Sequence, residues 1–222
     1  MVQVPDTEVA SLTVVERIRA AMVRGDYAPN QRLIEADLCE QYGANRAVIR
    51  SALQDLAADG LVEIQRNKGA RVRAIPLAEA IEITEARMVL EGLAARKAAE
   101  HCSSEDAEGL LEIGRLMRQA YERSELLAYS DLNARLHRRI REIARHSTSA
   151  NLIERLGAQV VRHQFRLSLQ PGRPAISLPQ HERIIESVVA RSPDAAEQAM
   201  RLHLSSVVEA LRDTADVVHP HP

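Results

Sequence analysis

Residues 45–72 run NRAVIRSALQDLAADGLVEIQRNKGARV, and the spacing of their apolar residues changes partway along. Before Gly60 the apolar positions Val48, Ile49, Ala52, Leu53 and Leu56 recur at three and four residues, the period of one helix face. After it, Leu61-Val62-Glu63-Ile64-Gln65 and Ala70-Arg71-Val72-Arg73-Ala74 alternate like strands, with the turn-forming Asn67-Lys68-Gly69 between them. The stretch therefore predicts a helix with Asn45 as its N-cap and Gly60 as its stop, followed by a β-hairpin. On the polar side of that helix Arg46 and Arg50 are four residues apart and share a face, joined by Ala47, Ser51 and Gln54.

Toward the N-terminus, two more helices come into view. Val14, Ile18 and Met22 mark the first, which Gly25 ends; Ile34, Leu38 and Tyr42 mark the second, which Gly43 ends. Residues 1–8 read as a loose tail, and Asp26 to Asn30 as a turn. Three short helices followed by a hairpin wing form an arrangement that reads DNA, with the third helix in the major groove. Arginines presented from its first turns can pair with guanine. The wing is basic too: Arg66, Lys68, Arg71 and Arg73 crowd it, and Gly69 lets the backbone of its tip approach a phosphate closely. An isolated arginine pair is more often a solvated face. The helix order together with the basic wing favours DNA, and the charge is local, because the whole chain carries a net −2.

Beyond Pro76 the pattern is helical throughout, with six helices predicted near 77–100, 104–123, 126–145, 149–168, 178–191 and 193–214. Ser192-Pro193-Asp194 supplies an N-cap, a proline at the first helical position and an acid near the positive end for the last of these. The 222 residues are 45% hydrophobic and 27% charged with few aromatics, which favours a soluble, mainly α chain over a sandwich or barrel. No apolar run approaches the ~18 residues of a membrane span, and no charged-then-apolar leader opens the sequence. Cys39 and Cys102 have neither metal nor redox spacing and read as reduced thiols of a cytoplasmic protein. The expected architecture is an N-terminal winged helix-turn-helix over 1–75, an antiparallel bundle of about six helices over 76–216, and a tail over 217–222.

The N-terminal third resembles the winged-helix domain of the GntR family of transcription regulators. The residues that carry the resemblance are Gly25-Asp26-Tyr27-Ala28-Pro29-Asn30, then Asn45-Arg46-Ala47-Val48-Ile49-Arg50-Ser51-Ala52-Leu53, then Gly60-Leu61-Val62 and Asn67-Lys68-Gly69. Asn30 stands where a glycine is usual, and Asn45 where a serine or threonine is usual. The resemblance implies DNA contacts from Asn45, Arg46, Ala47, Arg50, Arg66, Lys68 and Gly69.

In the helical part, His137, His181 and His203 are far apart, and their spacing alone does not bring them together. A helix histidine is more often a surface or core residue than a ligand. Residues 77–214, however, resemble the FCD ligand-binding domain of the FadR subgroup. The matching motifs are Arg87-Met88-Val89-Leu90-Glu91-Gly92-Leu93-Ala94-Ala95, Asn133-Ala134-Arg135-Leu136-His137 with Asn151 following, His181-Glu182-Arg183-Ile184, and Ala196 through His203-Leu204. By that resemblance Asn133, His137, His181 and His203 form a metal site, with zinc the first choice for three histidines and nickel or manganese as alternatives. Leu136 replaces the usual phenylalanine, and Asn133 stands where aspartate is frequent.

Arg87 can pair with an effector carboxylate or, equally, with Glu91 one turn on. His163, on the stripe of Leu156, Val160 and Leu167, is a second candidate effector contact, with a hydrogen-bonded core histidine as the other reading. The expected protein is a homodimeric regulator, with repression as the expected mode. It binds palindromic double-stranded operator DNA and senses a small carboxylate-bearing effector through a metal. Two rivals stand beside it: a metal-dependent hydrolase or isomerase with an accessory winged domain, and a structural DNA-binding dimer that senses nothing. No nucleophile elbow, phosphate loop or evident general base supports the enzyme.

Overall fold

The computed structural model describes residues 12–65 and 69–218. The chain divides into two compact units, Met1–Ile75 and Pro76–Pro222. It is mainly helical, with a helix-turn-helix and a small antiparallel sheet in the first unit and a helical bundle in the second.

The first unit contains α1 (Val14–Arg24), β1 (Arg32–Leu33), α2 (Glu35–Tyr42), α3 (Arg46–Ala58), β2 (Val62–Gln65) and β3 (Gly69–Val72). Its helix ends follow local chemistry. Thr13 and Glu16 form a capping box at the start of α1, and Gly25 closes that helix at φ 92°. Gly43 closes α2 at φ 64°. Asn45 caps α3, its Oδ1 accepting from Val48 N at 3.0 Å. Ile18, Met22, Leu38, Ile49, Leu53 and Leu56 are buried between the three helices, and Leu33, Val62 and Val72 extend this core into the sheet.

Two sequence expectations change here. The hairpin gains a third strand, so the sheet runs β1-β3-β2, with Arg32 opposite Arg71 and Glu63 opposite Arg71 on the other side. Val48, expected on the apolar face of α3, is 41% exposed. Its neighbour Ile49 in the same turn is fully buried, so Val48 sits at the edge of the face that Ile49, Ala52, Leu53 and Leu56 bury, turned about 100° from Ile49. The N-terminal tail and the hairpin residues Arg66, Asn67 and Lys68 lie outside the described residues.

The second unit comprises α4 (Leu77–His101), α5 (Ser104–Glu122), α6 (Leu126–Ala144), α7 (Ser147–Ser168), α8 (Arg173–Val189) and α9 (Pro193–Val218). Helix α4 is the central one and packs against α6, α7, α8 and α9. Its small residues Ala94, Ala95, Ala98 and Ala99 are buried and let those neighbours come close. At Gly92 a Cβ would stand 3.0 Å from Arg201 Cγ of α9. Leu110, Met117, Leu136, Ile140, Ile153, Ile184 and Met200 fill the space around it at under 3% exposure. Helix α8 starts at Arg173, five residues before the expected 178. Pro174 lies in its first turn, where the missing N–H costs no hydrogen bond. Helix α9 runs to Val218, past the expected end at 214 and into the expected tail over 217–222, whose residues 219–222 lie outside those described.

Candidate metal centre and nucleic-acid interface

Three helices each bring one histidine to the interior of the second unit: His137 from α6, His181 from α8 and His203 from α9. One ring nitrogen of each lies within 4.8 Å of those of the other two. His181 and His203 are closest, with Nε2 to Nε2 at 3.3 Å. Two nitrogens bound at ~2.0–2.1 Å to a tetrahedral ion stand about that far apart.

The far side of every ring is held. Glu91 Oε2 accepts from His137 Nδ1 at 2.8 Å. Gln180 Oε1 accepts from His203 Nδ1 at 3.0 Å and from Ser206 Oγ at 2.9 Å. Tyr129 Oη lies 3.1 Å from His181 Nδ1 and 2.8 Å from Ser177 Oγ. The Glu91 carboxylate and Gln180 Oε1 can only accept, so Nδ1 of His137 and His203 donates outward and their Nε2 lone pairs turn inward; where His181 does the same toward Tyr129, three lone pairs meet, an arrangement that a cation relieves.

The electrostatics keep two of these rings neutral. Burial presses the pKa values of His181 and His203 well below the ordinary value, and the neighbouring histidines press in the same direction, so both rings are neutral. Burial by itself would raise the Glu91 carboxyl. The Arg87 guanidinium and then His137 overcome this and hold it well below the usual carboxylate range, so it is ionised and can only accept. Asn133 lies one turn before His137 on α6, and its Oδ1 is buried with no hydrogen-bond partner. A buried amide oxygen without a donor, one turn from His137, is a further candidate donor for an ion held by the three rings. The donor set fits a divalent transition ion such as zinc.

Arg87, the first expected effector contact, is buried and ion-paired with Glu91 through Nη2, while its Nε and Nη1 have no partner. His163 is half-buried on α7 and contributes no nitrogen to the cluster. Sequence reasoning missed Tyr129 and Gln180 as supports of the rings and saw Glu91 only as a partner for Arg87. Their residue types are common on helices, and the contacts that define them cross from one helix to another.

In the first unit, α3 presents Asn45, Arg46, Ala47, Arg50, Ser51 and Gln54 exposed. Arg46 makes no ion pair among the described residues. Arg50 Nε, by contrast, lies 2.9 Å from both oxygens of Glu35 on α2. Arg71 pairs with its cross-strand neighbour Glu63 at 2.7 Å. Gly69 opens β3 at φ 83°, in the left-handed region that glycine supplies at low cost. Arg66 and Lys68, expected to contact DNA, lie outside the described residues.

Comparisons with known proteins follow this division. The FCD domain family matches residues 82–206, and the family described as bacterial regulatory proteins, gntR family, matches residues 10–72. The chain is similar to the HTH-type transcriptional repressor RspR of Escherichia coli K12, 27% identical over 210 residues that span 95% of this chain and 92% of that protein. Among solved structures it resembles E. coli McbR/YncC, with a TM-score of 0.75 at 19% identity, covering 91% of this chain and 96% of that one. It also resembles Lar of Listeria monocytogenes, with a TM-score of 0.56 at 17% identity, covering 96% and 99%. The last two likenesses speak to fold alone.

Proposed function

The chain belongs to the gntR family of bacterial regulatory proteins and carries that family's helix-turn-helix together with an FCD domain, and from this premise we propose that it is a metal-dependent, effector-responsive repressor acting as a homodimer. Its family is one of transcription regulators and not of enzymes, which sets the hydrolase or isomerase reading aside. Residues 1–75 bind operator DNA, and residues 76–216 bind the effector and join the two copies. A two-fold dimer calls for a palindromic operator with one recognition helix in each half-site. Asn45, Arg46, Ala47 and Arg50 meet the major groove, while Arg66, Lys68 and Gly69 of the wing meet the backbone or the adjacent minor groove. The protein works in the cytoplasm, on the nucleoid when bound to DNA, and no described helix is long and apolar enough to cross a membrane.

The observation that carries the sensing half is the inward convergence of His137, His181 and His203, with each ring held from behind and Asn133 Oδ1 buried and unpartnered one turn before His137. These four residues hold the ion, zinc in the first instance. A bound divalent ion supplies a Lewis-acidic anchor for a carboxylate oxygen. The chain's own side chains do the rest. Glu91, Gln180 and Tyr129 keep the rings aimed, and Arg87 offers unpaired donors to an acidic ligand. His163 stands outside the cluster and is the weaker of the two effector contacts. An effector that binds one arrangement of the dimer better than the other shifts operator affinity by that difference.

Metal analysis and DNA selection test this reading together. The purified chain is expected to carry close to one zinc-type ion per protomer, to run as a dimer by light scattering, and to select a palindrome from random duplexes. A His181→Gln/His203→Gln double variant is expected to lose the ion. Full metal occupancy in that variant sinks the site, and a monomer that selects a single half-site sinks the dimer.

A further inference from the structure

The interior behind the histidine cluster holds more positive charge than it balances. Arg87 is only 6% exposed. Its Nη2 takes one oxygen of Glu91, and its Nε and Nη1 are buried with no partner. The other oxygen of Glu91 is engaged by His137 Nδ1. Arg141 adds a second guanidinium to this region. It follows His137 by one turn and Asn133 by two, so Asn133, His137 and Arg141 share one face of α6. Arg141 is half-buried and forms no hydrogen bond or ion pair within reach of its side chain among the described residues. Burial works against its charge; Glu91 and, less strongly, the exposed Glu154 support it, while Arg87 and Arg138 oppose it. Glu91 is thus the one buried carboxylate that both guanidiniums draw on, with Glu154 at the surface as a weaker support for Arg141. Buried donors without acceptors and a buried excess cation are both costly, and an anion entering from outside satisfies both at once.

We propose that Arg87 and Arg141 form an anion subsite beside the histidine cluster, and that the effector is a small dicarboxylate whose second carboxylate occupies it. This subsite extends the metal-borne effector reading given above and rests on it. Glu91 joins the two ends of the ligand, holding His137 with one oxygen and Arg87 with the other. A carboxylate that arrives at Arg87 competes with Glu91 for the guanidinium, so occupancy of the arginine end is felt at the His137 ring.

The zinc-loaded full chain and its Arg141→Met and Arg141→Lys variants are titrated calorimetrically with acetate, malonate, succinate and glutarate. At least one dicarboxylate is expected to bind the unaltered chain about tenfold or more tightly than acetate, the gain of a second charge-assisted contact. Arg141→Met brings that ligand to the level of acetate, and Arg141→Lys keeps part of the gain. Acetate affinity and zinc stoichiometry stay the same in all three proteins. The subsite is overturned if no dicarboxylate outbinds acetate, or if Arg141→Met keeps the full preference. If the unaltered chain takes up no zinc, the metal reading fails separately, and the same series is run without metal. There, a dicarboxylate preference that depends on Arg141 supports the subsite, and equal binding by the unaltered chain and Arg141→Met rejects it.

Discussion

Arg50 Nε stands 2.9 Å from both carboxylate oxygens of Glu35, so the first helix of the helix-turn-helix holds an exposed arginine of the second, one of those proposed to meet DNA. The pair is exposed, and exposed pairs add little to stability. Its consequence lies in the charge that α3 shows to DNA. Arg46 is unpaired among the described residues, whereas Arg50 is partly neutralised until a phosphate or guanine competes for it. Arg46→Ala and Arg50→Ala are each expected to cost about 1–3 kcal/mol of affinity for a duplex selected by the unaltered protein, with the dimer and its helicity intact. Glu35→Gln is expected to do the opposite for arbitrary DNA, raising non-specific affinity and steepening the salt dependence by about one unit of slope. Mobility-shift titrations at several salt concentrations give both quantities. Flat results for both arginine variants would remove α3 from the DNA interface.

The supports behind the histidines should matter nearly as much as the histidines. Tyr129→Phe keeps the ring that fills the core and removes the hydroxyl that holds His181 Nδ1. Loss of such a support typically lowers metal affinity by about 10–100-fold. Competition with a zinc chelator is expected to show a drop in that range, while circular dichroism stays unchanged. Asn133→Ala is expected to weaken the ion as well, if the buried Oδ1 is the donor proposed above. Unchanged zinc affinity in both variants would show that the ion, if present, is held elsewhere.

The two units differ in how much of them is legible in the sequence. The ends of α1, α2 and α3 can be read directly, because Gly25, Gly43 and Asn45 act through their own backbone or the next turn. The strand β1 cannot, since Arg32–Leu33 is too short to show alternation and its partners Arg71 and Ala70 lie far along the chain. The exposure of Val48 is hidden for a different reason: periodicity marks an apolar face but not how far around the helix the core reaches. In the second unit, the histidines become a site only through a family resemblance, as nothing in their spacing forces α6, α8 and α9 together. Glu91 is legible as the i+4 partner of Arg87, yet its second oxygen reaches His137 across a helix interface. Gln180 and Tyr129 carry no local signal at all.

Acid should weaken the metal-free protein earlier than an ordinary carboxylate-rich domain. His181 and His203 have folded pKa values well below the ordinary 6.5, chiefly through burial. The unfolded chain therefore takes up protons as the pH falls through about 6.5 while the folded one does not. Stability is full above that pH and is lost progressively below it, toward the depressed folded values. Glu91, also depressed in the fold, adds a further loss below its ordinary 4.5. Urea unfolding of the metal-free chain is expected to show a falling midpoint between about pH 7 and pH 5. A His181→Gln/His203→Gln variant is expected to show a much flatter profile there, and an identical slope in both proteins would separate these histidines from the effect.

Asn30 holds the turn that ties β1 into the sheet, and it does so at φ 63°. In that conformation its N–H donates to Val72 O at 2.9 Å, and the next carbonyl, Gln31 O, accepts from Val72 N at 2.9 Å. The two bonds continue the β1–β3 ladder beyond Arg32 and fix the wing against the helix-turn-helix core. A residue with a Cβ pays roughly 1–2 kcal/mol for left-handed backbone, and asparagine is among the few that adopt it routinely. Asn30→Gly should therefore leave stability within about 0.5 kcal/mol, because the lower strain and the greater freedom of the unfolded chain offset one another. Asn30→Val, β-branched and poorly suited to φ above zero, should cost at least about 1 kcal/mol. If the turn carries the wing, that loss is accompanied by faster amide exchange at Val72 and weaker DNA binding, with zinc affinity in the second unit unchanged. An Asn30→Val protein as stable as the parent, with Val72 still protected, would mean that the ladder and not the turn residue sets this conformation.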